Sequence, residues 1–202
     1  MMKKTLLAIA ALTVLSSGTA MAQHQQDGKW QVRLRAVHID SANSDSTGLG
    51  LSVNNKTIPE IDISYYFTPN IAAELILTYP QKHDVRSSAL GGKIGTLKQL
   101  PPTLLAQYHF TNFGAFKPYV GAGINYTRFS SVDIADGAAD VKRNSWGGAL
   151  QLGFDYALDK NWSINFDVKK VYMKTDVRLL GDNIGSFKVN PLLVGVGVGY
   201  RF

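Results

Sequence analysis

Cysteine is absent from the 202-residue chain, which excludes a disulfide scaffold, a thiolate metal site and a cysteine nucleophile together. Charge is sparse as well, 18% of residues against 45% hydrophobic, so a disordered polyelectrolyte is excluded and the length suits one folded unit. There are four histidines, His24, His38, His83 and His109. None stands with a serine and a carboxylate, or with other ligands at a recognised metal spacing, so the sequence offers no catalytic and no metal site and calls for no cofactor. The basic residues are dispersed and fall in no recognition motif, which leaves nucleic acid without support as a partner. Long hydrophobic runs are missing too. After Ala22 no stretch approaches the 18 apolar residues of a helical membrane span.

What is present begins with an export signal. Lys3 and Lys4 precede a mainly apolar stretch at 6–15, and Ala20-Met21-Ala22 has the small-x-small pattern of a cleavage site. Residues 1–22 are expected to be removed, leaving 23–202 as one domain. Without a lipobox cysteine the remaining destinations are the periplasm, the exterior and the outer membrane.

Alternation decides between them. From Leu192, the side chains of Leu192, Val194, Val196, Val198, Tyr200 and Phe202 fall on one face of a strand, and Gly195, Gly197, Gly199 and Arg201 on the other. A soluble sheet needs a second layer to cover such a face; a membrane barrel lays it against lipid. The aromatic at Phe202 matches the closing strand that the barrel-assembly machinery reads. The same period-two test gives eight strands, at 30–39, 58–67, 71–79, 103–110, 118–128, 145–156, 162–171 and 189–202. The connections 68–70, 111–117 and 157–161 are short, whereas 40–57, 80–102, 129–144 and 172–188 are long. The expectation is therefore an all-β, eight-stranded antiparallel transmembrane up-and-down barrel, with periplasmic turns and termini and outer loops. Aromatics fall in two belts: Trp30, Phe67, Phe110, Tyr156, Trp162 and Phe202 low, and Tyr79, Tyr126, Trp146 and Tyr172 high.

Inward residues bear on function, because eight strands enclose a space that side chains nearly fill. Arg33, Glu74, Asp155 and Arg201 point inward near the base and read as a periplasmic polar plug, since opposite charges in a dry lumen must pair. Val37, Ile76, Leu105, Val171 and Leu193 point inward higher up and would line a hydrophobic lumen. Glu60, Asp62, Asp167 and Lys169 break this segregation; either they pair with one another or a strand register is off by one residue. Seven inward glycines on the fifth, sixth and eighth strands either ease curvature or leave free cross-section. Pro101, Pro102 and Pro191 cannot donate to a ladder, so pairing should weaken near the outer rim, where a lateral opening is expected. Lys82, Arg86, Lys93 and Lys98 on the second long loop either meet lipopolysaccharide phosphates or are simply solvated.

Leu100-Pro101-Pro102-Thr103-Leu104, the run Pro118-Tyr119-Val120-Gly121-Ala122-Gly123-Ile124-Asn125-Tyr126, Ser145-Trp146-Gly147 with Asp155-Tyr156, and the ending Gly199-Tyr200-Arg201-Phe202 resemble the OmpW/AlkL family of outer-membrane proteins. The resemblance implies a barrel in the outer membrane of a Gram-negative bacterium, with a narrow hydrophobic channel for passive passage of small apolar molecules, and lipid and lipopolysaccharide around it. It departs at the constriction. Ile76 aligns with the family's large aliphatic residue, but Val168-Lys169-Lys170-Val171 stands near the family's indole. The alternative is a structural or receptor barrel with a closed interior and recognition by its outer loops.

Overall fold

The computed structural model describes residues 28–202; the expected signal segment and its cleavage point lie outside them. Along the chain run β1 (Trp30–Asp40), β2 (Ser44–Asp45), β3 (Leu51–Val53), β4 (Lys56–Tyr66), β5 (Ile71–Leu77), β6 (Gln81–Ser87), β7 (Gly92–Leu100) and β8 (Thr103–His109). They are followed by β9 (Phe116–Ile134), β10 (Ala139–Val141), β11 (Asn144–Ala157), β12 (Trp162–Val171), β13 (Lys174–Leu179), β14 (Asp182–Lys188) and β15 (Leu192–Arg201). Eight of these, β1, β4, β5, β8, β9, β11, β12 and β15, form an antiparallel sheet that closes when β15 pairs with β1, for example Leu34 opposite Val198. Closure leaves no unpaired edge, as backbone polar groups in hydrocarbon require.

Each barrel strand obeys the expected parity. On β1, Gln31, Arg33, Arg35, Val37 and Ile39 are buried while Trp30, Leu34, Ala36 and His38 are exposed. On β15, Val194, Val196, Val198 and Tyr200 are exposed and Leu193, Gly195, Gly199 and Arg201 are buried. Neighbouring rings on the outer face meet edge to face, Trp30 with Tyr65 at 4.8 Å and Trp162 with Tyr200 at 4.9 Å between centroids, the preferred geometry for aromatic pairs.

Local chemistry sets the short turns. Thr68 Oγ1 accepts from the backbone N–H of Asn70 and Ile71, and Asp159 Oδ1 accepts from those of Asn161 and Trp162. Both side chains substitute for the turn's missing ladder bonds.

The long connections differ from the expected loops. Residues 81–87 and 92–100 form a hairpin turning at Leu90-Gly91, and 174–179 and 182–188 form another turning at Leu180-Gly181, where both residues have positive φ, 53° and 99°. That is the turn that matches strand twist in a tight hairpin. With β2, β3, β10 and the top of β9, they carry the sheet beyond the lipid-facing strands. Their buried side chains, among them Val53, Val85, Leu97, Phe129, Val177 and Phe187, continue the apolar core of the upper barrel.

The inward glycines admit neighbours rather than leaving space. A Cβ at Gly197 would meet the Leu34 carbonyl and the Arg35 Cα, and one at Gly153 would lie 2.5 Å from the Tyr119 hydroxyl. Gly153→Leu is therefore expected to expel the Tyr119 ring, costing about 1–3 kcal/mol as overpacking, read as a lower urea midpoint of the lipid-reconstituted barrel.

Candidate functional site: the barrel interior

The lowest layer is aromatic and basic. The Arg201 guanidinium lies 3.6 Å from the Tyr66 ring centroid, and its Nε donates to the Gly28 carbonyl at 2.6 Å. Tyr66, His109 and Tyr119 follow one another as tilted rings, each centroid 4.9 Å from the next. Above them Arg33 is fully buried and donates through Nε and Nη2 to the two oxygens of Asp155, at 3.1 and 2.7 Å. Its Nη1 donates to Ser64 at 2.8 Å and reaches Asp62 and Glu74 at 3.1 and 3.2 Å. Such a fork matches a carboxylate better than any other side chain does.

One step higher sits Arg35, which the sequence reading left unassigned. It bridges Asp62 at 2.6 Å, Asp167 at 2.9 Å and Glu74. Gln151 donates to Glu74 at 2.8 Å and to Asp167 at 2.7 Å, and receives from Gln107 at 2.8 Å. Lys169 then joins Asp167 to Glu60. The four residues that had broken the segregation thus share one network with Arg33 and Glu74; their strand registers are as read, and Arg35 is the cation that gathers them. Five carboxylates, Glu60, Asp62, Glu74, Asp155 and Asp167, are fastened across β1, β4, β5, β11 and β12 by Arg33, Arg35 and Lys169, every one of them buried. A buried ion network of this kind is rigid, because loss of any member strands its partners; among the described residues, Arg35 Nε is the donor it leaves without a hydrogen-bond acceptor.

Above Lys169 the chemistry changes. A narrow chamber, a cavity of about 30 Å³, is lined by Ile39, Ile58, Ile76, Val171, Met173 and Leu193, with Glu60 and Lys169 as its floor and Gln81 and Gln99 near its top. Of the expected lumen residues, Ile76, Val171 and Leu193 lie on its wall. Val37 and Leu105 are buried below it, Leu105 directly opposite Glu74 in the ladder. Ile39 and Ile58 are end residues of the segments read at 30–39 and 58–67, and Met173 continues the parity of 162–171 by one residue pair.

The three prolines also bear on this chamber. Thr103 is paired on both sides, with Ile76 and with Asn125, so the expected break does not fall there. It falls one step up. Between Ile76 opposite Thr103 and Gln81 opposite Gln99, residues 78–80 face Pro101 and Pro102 without ladder pairs. Across the other side of Pro102 the sheet holds, since Tyr126 N–H donates to its carbonyl at 3.1 Å. Thr78 and Pro101 both line the chamber, which therefore abuts this gap. Pro191 lines it too, but its carbonyl accepts from Val171 N–H at 3.1 Å, so that seam is tied on the β12 side.

The roof contains a buried histidine. His83 Nε2 is 3.0 Å from Gln99 Nε2 and Nδ1 is 3.2 Å from the Asn54 carbonyl, an arrangement that suits a neutral ring donating from Nδ1. Burial lowers its pKa below the ordinary 6.5, and Lys56 adds to the effect. The folded state thus binds its proton more weakly than the unfolded state. The contribution of His83 is complete above about pH 6.5 and is lost as pH falls below that value. Amide exchange in β6 and β7 is expected to accelerate between pH 7 and pH 5 beyond its intrinsic pH dependence, and His83→Gln should remove the excess.

Comparison with known proteins fits this geometry. The OmpW family model matches residues 26–202. The chain belongs to the OmpW family. It is 48% identical over 184 residues to the uncharacterized outer-membrane protein y4mB of Sinorhizobium fredii, covering 86% of this chain and 80% of that one. The crystal structure of the outer membrane protein OprG from Pseudomonas aeruginosa superposes with a TM-score of 0.74 at 29% identity, over 90% of this chain and 99% of the other. A more distant relative, 26% identical over the full length of both chains, is the dibenzothiophene metabolism operon protein PahQ of Pseudomonas aeruginosa. The OmpW barrel described here is thus an outer-membrane protein of Gram-negative type.

Proposed function

We propose that this OmpW-family barrel is a passive conduit for small apolar molecules, with the chamber as its binding site and the gap beside Pro101 and Pro102 as its exit. The carrying observation is the juxtaposition of an apolar chamber, a charged floor and an unpaired stretch of wall. Arg33, Glu74, Asp155 and Arg201, joined by Arg35, block a straight path to the base, so a guest that enters from outside leaves sideways into lipid. Ile76, Val171 and Leu193 hold the guest by dispersion and area burial alone, roughly 25 cal/mol per Å²; Val37 and Leu105 stiffen the wall beneath. Association of PahQ with dibenzothiophene metabolism agrees with a guest of this chemistry. In this reading both mature termini are periplasmic, the hairpins face outward, and the barrel-assembly machinery takes the strand ending at Phe202.

Phe129, Val85, Leu97 and Val53 pack above the chamber, and that closed roof favours a second reading, a structural or receptor barrel with a sealed interior. Uptake separates the two. Cells with intact lipopolysaccharide should accumulate an apolar fluorophore faster with the protein than without it, and equal rates would establish the sealed barrel.

A further inference from the structure

Each of the two long hairpins rises from just above the upper aromatic belt. β6 follows Tyr79 by two residues and β13 follows Tyr172 by two. At the base of each, the first outward-facing cross-strand pair is lysine opposite lysine: Lys82 with Lys98 on β6 and β7, and Lys174 with Lys188 on β13 and β14. Directly opposed side chains in an antiparallel pair have Cβ atoms about 5 Å apart, and like charges there are destabilising on their own. Asp84 lies near Lys82 on the same face, but among the described residues none of the four ammonium groups makes an ion pair. Two outward cations higher up do have counterions. Lys93 is bound to Asp84 at 2.7 Å and Arg143 to Asp140 at 3.0 Å, both further from the lipid. The four lysines share this lack of an ion pair with Arg86, Lys142 and Arg178 higher up, but only they stand as directly opposed pairs beside the aromatic belt.

The arrangement also repeats around the barrel. The first hairpin stands between β5 and β8, the third and fourth barrel strands, and the second between β12 and β15, the seventh and eighth. They are half a turn apart. Arg128, exposed and opposite Leu100 on the neighbouring strand, lies diagonally beside Lys98 and enlarges the first site.

We propose that the two lysine pairs are docking sites for the phosphate groups of lipopolysaccharide, one on each side of the barrel, each pair sharing a phosphate between its ammonium groups. At this height an outer-leaflet glycolipid presents its phosphates beside its acyl chains, so the aromatic belt and the exposed aliphatic strands receive the chains while the lysines receive the anion. The proposal rests on the barrel's outer-membrane location and on the outward orientation of the hairpins given under the proposed function, and does not require that anything passes through the barrel.

The test is a binding titration of the full barrel in lipid nanodiscs with bisphosphorylated lipid A, with lipid A stripped of both phosphates, and with phosphatidylethanolamine. About two lipid A molecules should bind tightly, and removal of the phosphates should abolish that selectivity. K82Q/K98Q and K174Q/K188Q should each weaken one of the two sites, by roughly tenfold, while K93Q/R143Q, with the same change in net charge, leaves both intact. The stability readout should change sign: K82Q/K98Q raises the unfolding midpoint in zwitterionic lipid, where the like-charge contact is relieved, and lowers it with lipid A present. Equal binding of phosphorylated and stripped lipid A would overturn the proposal, as would equal weakening by K93Q/R143Q.

Discussion

Ile76→Asp is expected to reduce uptake of an apolar tracer to that of cells lacking the protein, while the barrel still inserts and folds. Ile76 is almost fully buried and contributes to the chamber wall next to the Glu60 and Lys169 floor. A carboxylate placed there has a cation within the same chamber, so the fold tolerates it. A hydrocarbon guest, however, must strip water from the new charge to pass. Several kcal/mol of lost solvation corresponds to a rate lower by about 100-fold or more. Ile76→Ala is the companion variant. It removes volume without polarity, lowers stability by about 2–5 kcal/mol through the enlarged cavity, and should leave uptake at or above the original rate. Undiminished uptake in Ile76→Asp would show that the guest does not pass the chamber.

The second large effect falls on Arg35. Replacing it with methionine keeps much of its length but removes the charge that touches Asp62, Glu74 and Asp167. Those three carboxylates, with Glu60 and Asp155, would then share Arg33 and Lys169 in an interior that water does not reach. Breaking one partner out of a buried ion network costs about 3–5 kcal/mol, comparable to the whole stability of a marginal domain. Urea unfolding in lipid vesicles should show that loss, and Arg35→Met with Asp62→Asn should recover part of it by removing one of the stranded charges. A shift below about 1 kcal/mol would mean that solvent reaches the layer and that the floor of the chamber is not closed.

The strand parity that supports both variants was legible in the chain because hydrocarbon excludes polar side chains from the outer face, so the apolar set alternates without interruption on β8 and β15, and on β1 as far as Ala36. The charged layer was only half legible. Parity placed Glu60, Asp62, Asp167 and Lys169 inward, yet Arg35, the cation that the three carboxylates share, is on another strand and meets Lys169 only through Glu60 and Asp167, and which levels coincide depends on strand stagger that turn lengths alone do not fix. The hairpins were hidden for a different reason. In β6 the buried positions are Gln81, His83, Val85 and Ser87, so the alternation runs polar against polar and carries no hydropathy signal. The polar residues are there because each has a local partner: Gln99 for His83, the Leu49 carbonyl for Ser87, and the Tyr79 carbonyl for Gln81.

β9 is 19 residues long and continuous from the lower turn to the tip of the sheet. At about 3.4 Å per residue and a tilt near 40° it climbs roughly 45–50 Å, against an apolar band about 25 Å tall in barrels of this kind. With the hairpins outward, as proposed, the tip of the sheet would stand above the zone of tightly cross-linked sugars and divalent ions that makes the bacterial surface impermeable to oily compounds. A molecule captured at that height would bypass the sugar layer altogether and reach the acyl chains from the side, already dehydrated.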